Sequence, residues 1–405
     1  MKTTLFVGIS ELVQPYADEG GSPEPLSITH DAAMLVRDGV IVATGPREVV
    51  MGHDFVPTAD EVDLHGRAVV PGFVDSHTHV VHAGDRIDDI GRRAKGETYA
   101  SIAKAGGGIV RSTTLLAETS LNAIADQSLV RLDAMLARGT TTVEVKTGYG
   151  LTLEFEEKHV DAIELVARRA KQQIVPTLLA HVMPIAVRHG TAREDFLRGW
   201  YETIIPALAR RVKFFDVFVE DGAFTPDETR KLCGYAKAHG LRAKLHVDQL
   251  RDGAGAKLAA DIGALSADHL EHTSLEGARA LAEKGVVATV LPGCGMMLRA
   301  WPNARALRDV GCEVAVATDN NPGSSPVVDL TLCGLLAATL GGLSFEEALW
   351  GMTRGGAKAL GLNDRGRLVP GERADVVVVD HADFRALFSR PGNSPIHRVL
   401  LASDL

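Results

Sequence analysis

The sequence predicts a (β/α)8 TIM-type barrel carrying a small β domain built from both chain ends. Three features predict it. Short apolar runs recur eight times through the middle of the chain, stretches of helical period separate them, and β-rich segments occupy the two ends. Strands alternating with helices imply a parallel sheet. Eight such strands between residues 69 and 365 suffice to close a barrel with one or two long loops.

At the front, residues 5–13 and 32–46 carry β-branched runs, and Asp38-Gly39 between apolar runs is a hairpin signal. At the back, residues 367–380 give a turn followed by a fully apolar strand. These pieces are too short to fold alone, so they are expected to pair with each other. The division is therefore residues 1–68 plus 366–405 for the small domain and 69–365 for the barrel. The eight barrel runs are 69–75, 140–146, 173–180, 214–219, 242–247, 264–270, 286–291 and 313–318. Candidate helices between them are 119–138, 153–171, 193–210, 226–239, 274–284 and 302–310. The rival architecture, an open doubly wound sheet, wants a glycine fingerprint after its first strand. Neither G-x-G-x-x-G nor G-x-x-x-x-G-K-[ST] occurs.

The chain has 405 residues and a formal net charge of −9, which excludes a generally basic nucleic-acid or membrane-surface binder. Cys233, Cys294, Cys312 and Cys333 form no C-x-x-C pair and read as reduced thiols of a cytoplasmic enzyme. No apolar run approaches the roughly 18 residues of a membrane span. The apolar run near the N-terminus is too short for a signal-peptide core.

Polar residues gather at the C-terminal strand ends, where barrel active sites are built. Strand 1 ends in Asp75-Ser76-His77-Thr78-His79, strand 2 in Lys146-Thr147-Gly148-Tyr149, strand 3 in His181 and strand 4 in Glu220-Asp221. Strand 5 ends in His246-Val247-Asp248-Gln249, strand 6 carries Asp268 and His269, and strand 8 ends in Asp319-Asn320-Asn321. His77 and His79 alternate by two along an extended chain, so both side chains point the same way. Imidazoles plus one carboxylate suit zinc or iron and leave room for a catalytic water. His30, His53, His65, His159, His239 and His381 sit in expected loops or helix ends and read as solvated.

The chain resembles the amidohydrolase superfamily. The resemblance is carried by V-x-D-G-V-I at 36–41, P-G-F-V-D-S-H-T-H at 71–79, the strand-end His and Asp series, and L-V-P-G-E-R-A-D-V-V-V-V-D at 368–380. It implies a metal-dependent barrel and a small β-sandwich domain made from both chain ends. Within the superfamily the chain is most similar to the imidazolonepropionase family. That similarity rests on H-A-G-D-R at 82–86, K-G-E-T-Y-A-S-I-A-K-A-G-G-G-I at 95–109, E-V-K-T-G-Y-G-L at 144–151, L-A-H-V-M-P at 179–184 and A-T-D-N-N-P-G-S-S-P at 317–326. It implies a small-molecule substrate, 4-imidazolone-5-propanoate, opened by water to N-formimidoyl-L-glutamate in histidine degradation.

Carried over residue by residue, the resemblance places metal ligands at His77, His79, His246 and Asp319. It places substrate contacts at Arg86, Tyr149, His181, Gln249, Asn321, Gly323 and Ser324, matches His269 to the strand-6 histidine that contacts substrate or metal-bound water, and leaves catalytic proton transfer to Asp319 or His269. One departure is Gln249, where ring deaminases and some imidazolonepropionases carry Glu. An amide cannot shuttle a proton as a carboxyl group can. Strand 4 lacks the carboxylated lysine of two-metal relatives, so one metal, zinc or iron, is expected. The resemblance also suggests a homodimer, with no nucleic-acid or membrane partner.

Several residues keep two readings. Lys146 is either functional or a cation at the surface or behind the ligands. Arg86 can grip a propanoate carboxylate through two parallel hydrogen bonds or pair with Asp85 or Asp88. Tyr149 is a substrate contact or a core tyrosine. Gly106-Gly107-Gly108 is an anion cradle or a hinge. Two other functions stay open: a ring deaminase, against which Gln249 argues, and a non-catalytic interaction protein, against which the complete ligand set argues.

Overall fold

The computed structural model describes residues 2–16, 25–98, 101–102 and 105–405. Tyr99, Ala100, Ala103 and Lys104 of the 95–109 motif lie outside the described residues. The barrel strands are β5 (Phe73–Asp75), β6 (Thr140–Lys146), β7 (Gln173–Ala180), β8 (Phe214–Val219), β9 (Arg242–Val247), β10 (Ser266–His269), β11 (Val287–Val290) and β12 (Val314–Val316). They form one parallel eight-stranded sheet in chain order.

The end segments supply β1 (Thr3–Pro15), β2 (Leu26–Arg37), β3 (Val40–Pro46), β4 (Asp60–Pro71), β13 (Val376–Val379) and β14 (Ile396–Leu400). Their order is β14-β13-β4-β1-β2-β3. Val40 at the β3 edge bridges to Arg373, just before β13. The sheet thus curls on itself around Phe6, Met34, Val36, Ile41, Val376, Val378 and Leu400. The Asp38-Gly39 turn joins β2 to β3 as expected.

Three details differ from the sequence reading. The run 69–75 is divided by Gly72, with β4 in the end sheet and β5 in the barrel. Most of β4 and all of β14 escape a pattern reading, because D-E-V-D-L-H-G-R and I-H-R-V-L mix charge into their strand pattern. The helix expected over 193–210 is interrupted. It runs Gly190–Gly199, widens into a π turn at Trp200–Ile204 and resumes at Ile205–Leu208. Pro206 has no N–H to continue the ladder there.

Side-chain alternation puts polar groups inside the barrel. In β6, Val143 and Val145 face outward into the apolar cluster with Ile124, Leu132 and Ile163. Thr142, Glu144 and Lys146 alternate with them and face inward.

The barrel seam lies between β5 and β12. Thr318 donates its N–H and its hydroxyl to the Asp75 carboxylate at 3.1 and 2.6 Å. Just beyond, Asp319 N donates to His77 O at 3.0 Å and His79 N to Asn320 O at 2.8 Å. This seam brings the first and last candidate ligand segments side by side. Thr318→Val keeps the shape and removes the hydroxyl donor from a buried carboxylate. We expect a loss of about 1–3 kcal/mol, read by denaturant unfolding; unaltered stability would show that the seam does not need this bond.

Candidate active site at the barrel mouth

Burial holds the His77, His79 and His246 imidazoles far below their ordinary titration range, so each ring keeps a lone pair. The same desolvation acts on all three rings, with neighbouring imidazoles and Lys146 adding to it. His77 Nδ1 donates to Asp268 Oδ2 at 2.7 Å, which turns Nε2 towards the mouth. That Nε2 is buried and has no hydrogen-bond partner. It lies 3.6 Å from Asp319 Oδ1, and His79 Nε2 lies 3.5 Å from the same oxygen. His246 Nε2 is 3.4 Å from His79 Nε2. His246 Nδ1 lies 3.0 Å from Asp216 Oδ2, close but not aligned as a hydrogen bond.

Imidazole nitrogens and one carboxylate oxygen therefore converge, as a cation site requires. The donor atoms of His77, His79 and Asp319 lie within 4.8 Å of one another, as do those of His77, His246 and His269. These residues fit a metal ion of the zinc or iron type in donor chemistry.

His269 enters by an irregular route. Alternation along β10 turns Asp268 inward and would turn its neighbour outward. A left-handed backbone at His269 (φ 86°) and Leu270 (φ 69°) brings the imidazole back among the ligands. Burial disfavours the charged His269 ring, but Glu271 at 3.3 Å and Cys294 outweigh it and hold the imidazole well above its ordinary range. Burial raises the Asp319 carboxyl to about 7, against the opposing pull of His269 and Asn321.

Beneath these residues lies a network of buried charge. Lys146 Nζ donates to Asp216 at 2.7 Å and contacts Glu144 at 2.9 Å and Asp268 at 3.6 Å. Lys244 Nζ lies 3.5 Å from Glu144 and donates to Ser76 O at 3.0 Å. All five side chains are fully buried. Burial alone would lower the Lys146 ammonium, but the three carboxylates outweigh it and keep it charged. The surface reading of Lys146 is thus corrected: it is a core cation holding the carboxylates that contact His77 and His246.

At the rim, Arg86 is 5% exposed and Nε lies 3.4 Å from Asp89, not Asp85 or Asp88. Its guanidinium rests on Gly323, where a Cβ would fall 1.1 Å from Nη2. Asn321 organises the segment between Asp319 and Gly323. Its Nδ2 donates to Asp319 Oδ2 at 3.0 Å, and its Oδ1 accepts from Gly323 N at 2.8 Å and Ser324 N at 2.7 Å. His181 stacks on His79 at 5.3 Å, and burial lowers it to about 3. Tyr149 is 2% exposed, packs with Val80, Val81 and Val145, and lies 5.7 Å from the His181 ring. Gln249 Nε2 donates to Cys294 Sγ at 3.3 Å. Gln249 also borders a cavity of about 570 Å³ between residues 90–98 and 296–300.

Other strand-end residues are structural. Asp248 accepts from the N–H groups of Gly253, Gly255 and Ala256. Glu220 accepts from Leu250 N, and Asp221 pairs with Arg251 at the surface. The anion-cradle reading of the glycine run is corrected: Gly108 N already donates to Asp89 and Gly107 N to Ile102 O. His159, expected to be solvated, is fully buried, and its Nε2 lies 2.8 Å from Val81 O. Sequence reasoning did not single out Glu144, Asp216, Lys244, Glu271 or Cys294. For the first three the signal was available, as charges spaced by two from other inward residues of apolar strands.

A barrel mouth whose His and Asp groups could hold a metal ion, with a sheet from both chain ends, fits a hydrolase architecture, and comparison with known proteins agrees. The chain belongs to the amidohydrolase family, whose model matches residues 68–400. The crystal structure of a triazine hydrolase variant shares the fold, with a TM-score of 0.77 at 18% identity, covering 100% of this chain and 94% of that one. Nearer in sequence is the imidazolonepropionase of Deinococcus deserti, 43% identical over 406 residues and 98% of each chain. That of Mesorhizobium japonicum is 42% identical over 378 residues, 92% of each chain.

The charge network generates a test. Lys146→Met strands Asp216 and Glu144 in a dry core, and breaking a buried pair costs about 3–5 kcal/mol. Denaturant unfolding should show that loss. Chelator competition on the folded variant should show metal affinity reduced roughly 10- to 100-fold, as when outer partners of ligands are removed. Wild-type values in both measurements would refute the assigned role.

Proposed function

We propose that this chain hydrolyses the cyclic amide bond of 4-imidazolone-5-propanoate to N-formimidoyl-L-glutamate, a step of L-histidine degradation. Its membership of the amidohydrolase family and its likeness to imidazolonepropionases support the reaction. The observation that carries the reading is one short segment, Asp319–Ser324, which joins the metal-ligating set to a buried guanidinium at Arg86.

His77, His79, His246 and Asp319 would hold one ion, zinc or iron. When bound, it supplies Lewis-acid activation of the attacking water at neutral pH. Asp319 Oδ1 faces His77 and His79, leaving Oδ2, steadied by Asn321, to accept the water's proton. A buried carboxylate held at this position can take the water's proton and return it later in the reaction. His269, oriented by Glu271, donates a hydrogen bond to the oxyanion as the carbonyl carbon becomes tetrahedral. Collapse breaks the ring C–N bond, and the proton on Asp319 passes to the leaving nitrogen. Arg86 grips the propanoate carboxylate, with Tyr149, His181, Gln249, Asn321, Gly323 and Ser324 around the substrate. The same reading takes the enzyme as a cytoplasmic homodimer, in keeping with four buried free thiols.

The direct test is to add purified, metal-loaded protein to freshly made imidazolonepropanoate. Loss of substrate absorbance with appearance of N-formimidoylglutamate is expected; ammonia release from cytosine or guanine instead would reassign the chain to ring deamination. Elemental analysis should give one tightly bound metal per chain. Two equivalents with a carboxylated lysine would overturn the one-metal assignment.

Arg86→Met tests the substrate claim apart from the metal chemistry. An unpaired buried carboxylate costs ~3–5 kcal/mol. Solvent entry at the mouth softens this to ~2–3 kcal/mol, or roughly 30- to 150-fold in kcat/KM. Most of the change should fall in KM, because the carboxylate is remote from the reacting carbonyl. Arg86→Lys should recover only part. An unchanged KM in Arg86→Met would remove Arg86 from the site.

A further inference from the structure

We propose that Glu156 and His159, one turn apart near the start of the helix Leu153–Arg169, are positioning residues that set Tyr149 against the substrate. The inference rests on the proposed reading that Tyr149 touches substrate.

The loop after β6 is irregular, left-handed at Gly148 (φ 107°) and Leu151 (φ 65°). Its backbone N–H groups turn inward and need an acceptor. The fully buried Glu156 carboxylate supplies it. Oε1 accepts from Gly150 N at 2.8 Å and Leu151 N at 3.0 Å, and Oε2 from Gly148 N at 3.3 Å. The residues on both sides of Tyr149 are thus tied to one carboxylate. Gly150 lies so close to the helix that a Cβ there would fall 2.2 Å from Glu156 N.

His159 fixes the ring itself. It stacks on Tyr149 with centroids 5.8 Å apart and planes 15° apart. Its Nε2 donates to Val81 O at 2.8 Å, two residues beyond His79. Burial lowers this imidazole to about 4, so it is neutral and donates through one nitrogen only. The tyrosine ring also lies 6.1 Å from His79 and 5.7 Å from His181. One helix turn thereby references the tyrosine to the metal-binding strand end.

A double-mutant cycle tests whether Glu156 acts through Tyr149. Glu156→Gln keeps the shape but presents an amide N–H to a donor. KM should rise on the order of 10-fold, with kcat and metal content near wild type, as for lost uniform binding. In a Tyr149→Ala background the same change should leave KM where Tyr149→Ala alone puts it. A full, additive effect in that background would overturn the proposal and leave Glu156 a general structural residue. An unchanged KM in Tyr149→Ala itself would overturn the substrate role of Tyr149, and the positioning role with it. Should Glu156→Gln not fold, His159→Phe, which keeps the stacking and removes the donor, completes the same cycle with the same criteria.

Discussion

Lys146 reaches Asp216 at 2.7 Å and Glu144 at 2.9 Å in the dry centre of the barrel, and the mouth above depends on that contact. Each ion taken out of water costs several kcal/mol, recovered only when its partners are all in place. The set draws its members from β6, β8, β9 and β10. A one-residue slip in any of those strands would turn its charge outward into apolar helix packing, leaving the others unpaired. The network therefore fixes strand register as well as charge. With the register fixed, Asp268 and Asp216 stand where they meet His77 and His246, and ring orientation follows.

The seam does for Asp319 what the network does for the histidines. Asp319 sits in a left-handed conformation (φ 53°), which costs energy in a residue with a side chain. Its backbone is held by His77 O and its side chain by Asn321. Asn321 in turn holds the backbone of Gly323 and Ser324, and only glycine at 323 leaves room for the Arg86 guanidinium. Metal chemistry and carboxylate binding, on the proposed reading, are thus coupled through one short loop.

The barrel was legible because its strands are short, apolar and punctuated by helical stretches, and those signals are local. The gathering of His77, His79, His246 and Asp319 was legible because all four stand at strand ends, which the architecture brings to one face. Hidden features depend on partners far apart in sequence. His159 looked like a solvated helix-end residue, but it is buried against Val81 O and the Tyr149 ring, both distant in the local pattern. Lys146 could not be assigned between the surface and a place behind the histidines, because its partner Asp216 lies 70 residues away. His269 breaks alternation through its backbone angle, which no side-chain pattern records. β14 and the start of β4 carry charge because consecutive residues there meet solvent, diluting the strand signal.

Gln249 can be judged by what each reaction asks of proton transfer. Hydrolysis of a cyclic amide moves one proton from the attacking water to the leaving ring nitrogen. A single well-placed base that later acts as an acid is enough, and on the proposed reading Asp319, with Oδ1 beside His77 and His79, has the position for it. Ring deamination asks for more. A ring nitrogen must be protonated as water adds, and the amine must then leave with a further proton, so a second carboxyl beside the ring is useful. Gln249 cannot fill that place, and its Nε2 is engaged with Cys294 Sγ. The other candidate, His269, is held by Glu271 at 3.3 Å, which on the proposed reading suits a steady donor to an oxyanion better than a shuttle. One shuttle and one fixed donor match the needs of amide hydrolysis, so the departure at position 249 favours the ring-opening reaction over deamination.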